Sequence, residues 1–96
     1  MEERIKVLNE TEYTKLTSNM EITEREQFFD GNVMYTFIEA KKDDKTFWFV
    51  KLESVKFLVK TKYLMVQEEH IKMLNEIRQR NIEDFAMTLY PLLLGD

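Results

Sequence analysis

The sequence has no cysteine, a single histidine, one proline and two glycines among its 96 residues. The absence of cysteine excludes disulfides, thiolate metal ligands and a thiol nucleophile. One histidine excludes a metal site built from several histidines of one chain. The scarcity of glycine and proline excludes collagen-like and low-complexity chains, and also the glycine-rich loops that bind phosphate in many nucleotide-binding enzymes.

The residues that are present predict one folded domain. Hydrophobic residues make up 44% of the chain and aromatic residues 12%, which is enough apolar mass for a buried core. We divide this predicted single domain, residues 1–96, into three parts by composition. These are a mixed N-terminal segment (1–32), a β-rich middle (33–66) and a helical segment (67–93).

Long hydrophobic runs are also absent. No stretch approaches the roughly 18 apolar residues of a membrane-spanning helix. The charged start Met1-Glu2-Glu3-Arg4 leads into no apolar segment of the kind found in secretory signals. Together with the lack of cysteine, these features predict a cytoplasmic protein that does not associate with membranes.

Charge is unevenly distributed along the chain. The whole chain has a net charge of −4, with −4 over residues 1–30, +3 over residues 31–66 and −3 over residues 67–96. An acidic overall balance argues against nucleic acid as a partner, because the phosphate backbone is repelled. The basic middle segment nevertheless leaves nucleic-acid binding as an alternative.

Residues that are β-branched or aromatic concentrate in the middle of the chain. They form three runs that predict three strands, Val33–Ala40, Thr46–Leu52 and Val55–Val66. The polar stretch Lys41–Lys45, centred on Asp43-Asp44, predicts a hairpin loop between the first two strands. Glu53-Ser54 predicts a two-residue turn before the third strand.

These two turns define a register for an antiparallel meander. The predicted facing pairs are Phe37–Val50 and Tyr35–Leu52 in the first hairpin, and Leu52–Val55, Val50–Phe57 and Trp48–Val59 in the second. All of these residues then share one apolar face. We therefore expect Trp48 and Phe57 to be buried between the sheet and the helices.

The N-terminal segment is predicted to hold a short strand, a short helix and a charge-rich element. Arg4–Leu8 has the composition of a strand, and Asn9 or Thr11 is a candidate N-cap for a helix over Glu12–Ser18. Glu21–Phe28 is either an edge strand or a loop. Asp30-Gly31-Asn32 predicts a turn, because these residues tolerate a positive φ or bond to their own backbone.

The C-terminal third is predicted to be helical. Gln67–Leu89 places apolar residues at helical spacing, with Arg78 and Asn81 on or beside the apolar stripe. We expect a break near Arg80-Asn81, where Asn81 caps a second helix, and we expect Pro91 to end that helix. The predicted fold class is α+β, with an antiparallel β-meander of three to five strands and a C-terminal helix or helix pair packed on one face.

The second face of the predicted sheet is also apolar, unlike the polar face of a simple two-layer protein. It carries Met34, Ile38, Ala40, Phe47, Phe49 and Leu58, surrounded by Lys51, Lys56, Lys60 and Lys62. Such a patch needs a cover, which is the N-terminal segment, a protein, or single-stranded nucleic acid stacked on Phe47 and Phe49. If a partner covers it, the predicted partner-binding residues are Phe47, Phe49, Lys51, Lys56, Leu58 and Lys60.

A homodimer is predicted from the same excess of apolar surface. Leu92 and Leu94 follow Pro91 and do not both continue the stripe of the helix, so they are candidate dimer contacts. A two-fold interface lets one patch cover its own copy, and we expect the contact to use either the Phe47–Phe49 face or the Leu92–Leu94 tail.

We find no catalytic residues, metal ligands or cofactor-binding motif in the sequence. His70 has polar neighbours and no partner at catalytic spacing, and the carboxylates lack the spacing of a calcium loop. We therefore expect a small non-enzymatic protein-binding or regulatory module, of the kind found among accessory proteins of bacteria or phages. The partner is another protein or a second copy of the chain, and the alternative is a nucleic-acid-binding module that uses the basic, aromatic sheet face.

Overall fold

A computed structural model describes residues 5–55 and 61–94, with the backbone alone at residues 90 and 92–94. Eight elements follow one another along the chain: β1 (Ile5–Leu8), α1 (Glu10–Thr17), β2 (Glu21–Phe29), β3 (Val33–Lys42), β4 (Lys45–Ser54), β5 (Thr61–Val66), α2 (Glu68–Arg80) and α3 (Ile82–Leu94). The strands form one antiparallel sheet in the order β1-β5-β4-β3-β2. The predicted α+β class with a meander and a C-terminal helix pair is confirmed.

Two short turns fix the central hairpins. Gly31, between β2 and β3, has a φ of +99°, which a residue without a Cβ adopts freely. Asp30 stabilises this turn through Oδ1, which accepts hydrogen bonds from the N–H groups of Asn32 and Val33 at 2.8 and 2.7 Å. The β3–β4 turn places Asp43 at a φ of +57°, a conformation that aspartate tolerates better than most residues. Both predicted turns are confirmed.

The register predicted for β3 and β4 is confirmed, but that for β4 and β5 is wrong. Tyr35 faces Leu52 and Phe37 faces Val50, as expected. Val50, however, faces Leu64, and Trp48 faces Val66. The predicted partners Phe57 and Val59 lie outside the described residues.

The error has a physical cause in the pattern of the third run. Residues 55–66 hold apolar side chains at both odd and even positions, so alternation does not select one register. No glycine or asparagine at Glu53-Ser54 enforces a tight turn there, and β4 continues through Ser54.

The helix-facing side of the sheet, here called the inner face, contacts α2 and α3. Its buried core consists of Val33, Tyr35, Val50, Leu52, Leu64, Val66, Leu74, Phe85 and Leu89. Phe85 packs edge-on against Tyr35, with ring centroids 4.8 Å apart. Trp48 lies on this face but is only half-buried, which corrects the expectation of a fully buried indole.

The C-terminal helices break where the sequence indicates. Asn81 is extended, and its side-chain oxygen accepts a hydrogen bond from the N–H of Glu83 at 2.9 Å, as an N-cap does. Pro91, by contrast, lies inside α3 rather than at its end. Proline removes one hydrogen bond but has a helical φ, so a helix near its C-terminus continues past it at the loss of that bond.

The opposite side of the sheet, the outer face, is covered by α1. A capping box starts this helix: Asn9 Oδ1 accepts from the N–H of Glu12 at 2.8 Å, and Glu12 Oε1 accepts from the N–H of Asn9 at 2.9 Å. A second buried cluster lies beneath it, formed by Leu8, Ile38, Ala40, Phe49 and Tyr63. Of the three covers considered for this face, the N-terminal segment is the one that the structure shows.

Neighbouring residues of α2 provide a test of the inner core. Leu74 is fully buried, whereas Met73 is 44% exposed. Leu74→Ala is expected to lower the free energy of unfolding by about 2–5 kcal/mol, because a cavity remains where the side chain was. Met73→Ala, the control, is expected to change it by no more than about 0.5 kcal/mol. Urea denaturation followed by circular dichroism measures both, and equal losses would contradict the packing described.

Asp30 makes the stability depend on pH. Partial burial opposes its ionisation, but hydrogen bonds from the N–H groups of Val33 and Asn32 and from the Tyr35 hydroxyl outweigh burial and hold its pKa below 3.8. A lowered folded-state pKa contributes stability that is present above the ordinary pKa and lost as the pH falls through the lowered value. Between about pH 5 and pH 2, Asp30→Asn is therefore expected to lose less unfolding free energy than the parent chain. Identical pH dependence of the two proteins would argue against this role.

Candidate functional site

Phe49, a predicted partner contact, is not available at the surface. Its exposed fraction is 0%, and Tyr13 of α1 packs edge-on against it with ring centroids 5.2 Å apart. Tyr13 also stacks on Tyr63 at 4.0 Å. The part of the sequence prediction that placed Phe49 on an open face is therefore corrected, because α1 supplies the cover within the chain.

The other residues predicted to bind a partner or form a dimer lie in different places. Phe47 and Lys51 are half-buried on the outer face, and Lys51 forms an ion pair with Glu53 at 3.4 Å. Lys56, Leu58 and Lys60 lie outside the described residues. The predicted dimer contacts Leu92 and Leu94 belong to α3 by their backbone, and their side chains also lie outside the described part of the structure.

An open groove lies instead on the inner face, between the edge strand β2 and helix α2. It has a volume of about 210 Å³. We call it the β2–α2 groove and define it by the lining residues Glu24, Glu26, Phe37, Glu39, Trp48 and Ile71. The carboxylates and the apolar side chains of this groove meet because β2, β3 and β4 are adjacent in the sheet.

The register brings three carboxylates to one side of the sheet. Glu26 faces Phe37 and Glu24 faces Glu39, and Glu39 in turn faces Trp48 on β4. Side chains alternate between the faces of a strand, so Glu24 and Glu26 share the face of Phe37, which packs against the inner core. The groove therefore combines an acidic wall with an aromatic floor.

The basic residue that lines the groove is already engaged in an ion pair. Lys72 of α2 lines the groove, but its Nζ lies 3.2 Å from Glu68 Oε1 on its own helix. Glu39 accepts a hydrogen bond from the hydroxyl of Thr23 at 3.1 Å. Within residues 5–55 and 61–94, no ion pair neutralises Glu24, Glu26 or Glu39.

Trp48 extends the groove toward the end of the sheet. It also borders a cleft of about 410 Å³ whose lining includes Phe47, Met65 and Val66. Phe47 and Trp48 are consecutive residues of β4 and point to opposite faces, so this cleft lies at the sheet end. A partner that contacts Trp48 in the groove therefore meets further apolar surface there.

Arg78 holds β2 and α2 together at Phe28. Its guanidinium lies 3.7 Å from the ring centroid of Phe28, and its Nη2 donates to Asn75 Oδ1 at 2.9 Å. Asn75 lines the β2–α2 groove. The position of the helix beside the edge strand therefore depends in part on this cation–π contact.

β2 leaves one edge without a neighbouring strand among the described residues. The strand is nine residues long, and all of its residues except Phe28 are exposed. Its register shifts between Ile22 and Glu24, which is a bulge of the kind that limits uncontrolled pairing at sheet edges.

No catalytic arrangement emerges from the described residues. In that part of the chain, no group of three histidine, aspartate or glutamate side chains is placed to hold a metal ion. His70 is half-buried on α2, away from the acidic wall that defines the groove. Within the ranges 5–55 and 61–94, no helix is long and apolar enough to span a membrane.

Comparisons of the chain with protein-family models, with curated proteins and with solved structures found no match.

Tyr13 provides a test of the outer-face cover. Tyr13→Ala removes the ring that contacts both Phe49 and Tyr63, and it is expected to lower the free energy of unfolding by about 2–3 kcal/mol, less than for a fully buried aromatic residue. Thr14→Ala changes the exposed neighbour and is expected to have little effect. Chemical denaturation measures the loss. Binding of a hydrophobic dye, expected to rise only in the Tyr13 variant, reports exposure of Phe49, and its absence would contradict the proposed packing.

Proposed function

We propose that this chain is a non-enzymatic protein-binding module whose β2–α2 groove receives a basic, extended segment of another protein. The observation that carries the proposal is the half-buried Trp48 at the floor of a groove whose wall holds three carboxylates without ion pairs. In protein–protein interfaces, the residues that contribute most to binding are often aromatic residues at the centre, and charged residues lie at the rim.

Charge complementarity argues for a basic partner. Glu24 and Glu26 are two residues apart on one strand, which is about 7 Å at the rise of a β-strand. A lysine or arginine at every second residue of an extended segment matches this spacing. Lys72 faces the same groove from α2 but pairs with Glu68, so the wall keeps its negative charge.

The free edge of β2 supports an extended partner. A strand added there gains backbone hydrogen bonds, and every second side chain turns toward the groove. The charges also oppose self-pairing. Two copies of β2 related by a two-fold axis at Arg25 would place Glu24 against Glu26 of the other copy, and an axis at either glutamate would oppose identical carboxylates.

Nucleic acid is a weaker alternative for this surface. The groove is acidic, so it repels a phosphate backbone. Phe49, which the alternative needs for base stacking, is buried under Tyr13. A protein partner therefore accounts better for both the charge and the position of the exposed aromatic surface.

Trp48 is the sole tryptophan of the chain and lies on the groove floor two strands in from β2, so its fluorescence reports side chains of a bound segment that reach the groove floor. We expect a peptide that alternates lysine and threonine to change Trp48 fluorescence in a saturable way. A peptide that alternates glutamate and threonine is expected to have no effect. A block peptide with the same lysine and threonine content is expected to bind more weakly, because its lysines do not repeat at the spacing of Glu24 and Glu26.

Substitution of the three carboxylates tests whether the acidic wall binds the peptide. The combined variant Glu24→Gln, Glu26→Gln and Glu39→Gln is expected to weaken binding of the alternating peptide about tenfold, as for the loss of three ion pairs of about 0.5 kcal/mol each. The matched control is Glu10→Gln, Glu76→Gln and Glu83→Gln, which removes the same charge from exposed helix positions. Equal losses in both variants would show a non-specific charge effect and overturn the groove assignment.

Light scattering distinguishes a second copy from a different partner. A homodimer that dissociates when the acidic wall is substituted would place another copy of this chain in the groove and would overturn the basic partner. The proposal is supported if substitution of the acidic wall leaves the solution mass unchanged and the parent chain binds the peptide that alternates lysine and threonine.

A further inference from the structure

Another cleft lies on the outer face, beside α1 and on the opposite side of the sheet from the β2–α2 groove. Its volume is about 200 Å³, which is roughly the share of six or seven water molecules in the liquid. We call it the outer cleft. It is lined by Tyr13, Arg25, Gln27, Thr36, Lys51 and Tyr63, together with Ile38.

The sheet register assembles four of these side chains into one row. Gln27 faces Thr36, Thr36 faces Lys51, and Lys51 faces Tyr63, so the row crosses β2, β3, β4 and β5. Arg25 lies two residues before Gln27 on the same face of β2, and Tyr13 of α1 borders the row. Helix α1 covers the apolar neighbours Ile38 and Phe49 and leaves this polar row at its margin.

Two hydroxyl groups of largely buried residues line the cleft. Thr36 is 4% exposed and Tyr63 is 6% exposed. Among the described residues, the buried side-chain polar atom without a hydrogen-bond partner is Arg78 Nε, so the hydroxyls of Thr36 and Tyr63 are not sealed off from the cleft. Both hydroxyls can therefore donate hydrogen bonds to a polar ligand in the cleft.

The charge of the cleft is positive. No described residue of its lining is acidic, and within the described ranges Arg25 has no ion pair. Lys51 pairs with Glu53 beside the cleft at 3.4 Å. Burial and Tyr63 raise the pKa of the Tyr13 hydroxyl, while Arg25 and Lys51 act in the opposite direction, which places both cations within electrostatic range of the roof of the cleft.

We propose that the outer cleft binds a phosphate group. Arginine, lysine, two hydroxyls and a glutamine amide supply more hydrogen-bond donors than the two oxygens of a carboxylate require. A phosphate presents three or more acceptor oxygens and two negative charges, and so matches donors that converge from several strands. This site is on the face opposite the β2–α2 groove, so it does not depend on the function proposed for that groove.

Titration with inorganic phosphate at constant ionic strength, followed by amide chemical shifts in ¹H–¹⁵N NMR spectra, tests the site. Saturable shifts are expected at Thr36, Lys51 and Tyr63. Arg25→Gln is expected to weaken binding about tenfold, as for the loss of one hydrogen bond to a charged group. Arg80→Gln, which removes the same charge from an exposed position at the end of α2, is expected to leave it unchanged.

Further titrations distinguish phosphate binding from other causes of the chemical-shift changes. Acetate is expected to give weaker shifts than phosphate, and equal shifts would overturn the preference for phosphate. If a small phosphate monoester binds more tightly than inorganic phosphate, the ligand is a phosphate ester. If inorganic phosphate binds more tightly, the ligand is the free ion. Either result supports a phosphate site in the outer cleft. Tyr63→Phe keeps the ring and is expected to weaken binding. Equal weakening by Arg25→Gln and Arg80→Gln, or shifts spread evenly over the surface, would overturn the proposal.

Discussion

The structure depends on one constraint, which is that the central strands of the sheet are apolar on both faces. Val50 and Leu52 of β4 face the C-terminal helices, while Phe49 of the same strand faces α1. A sheet of this kind needs two covers, and this short chain supplies both from its own helices. The two covers are unequal, because α2 and α3 have thirteen residues each and α1 has eight.

Both candidate sites lie where a cover ends. On the inner face, α2 contacts β2 at Phe28 but leaves Glu24 and Glu26 uncovered, so these acidic side chains border an open groove. On the outer face, α1 ends short of the row that includes Thr36 and Lys51, and the side chains there are polar. Opposite charge separates the two sites: the edge strand turns Glu24 and Glu26 to one face and Arg25 to the other, because successive side chains of a strand alternate.

Much of the fold could be predicted from local sequence patterns. The predictions that failed concern features that depend on contacts between distant parts of the chain. The turns at Asp30-Gly31-Asn32 and Asp43-Asp44, and the helix break at Asn81, were predictable because residues adjacent in sequence determine them. The β4–β5 register was not, since residues 55–66 are apolar at both parities and no turn residue selects one alignment.

The candidate sites were harder to predict for the same reason. The sequence shows two glutamates alternating with an arginine in a possible edge strand, but it does not show that α2 lies beside them. The predicted contact surface around Phe49 failed because a short helix with little apolar character proved to be its cover. Tyr13 carries most of that role, and a single aromatic residue gives almost no periodic signal.

β1 and β5 are neighbours in the sheet but are the two strands farthest apart in the sequence. This pairing has a consequence for how the chain folds during synthesis. Leu8 faces Tyr63, so β1 must wait for about 55 further residues, or roughly 3–11 s of translation, before its neighbour exists. Helix α1 is made before the strands it covers, but Tyr13 stacks on Tyr63 of β5, so its cover of Phe49 is complete only once β5 has been made. The outer face can then close while the inner face still awaits α2 and α3, which limits the time during which both faces are open to aggregation.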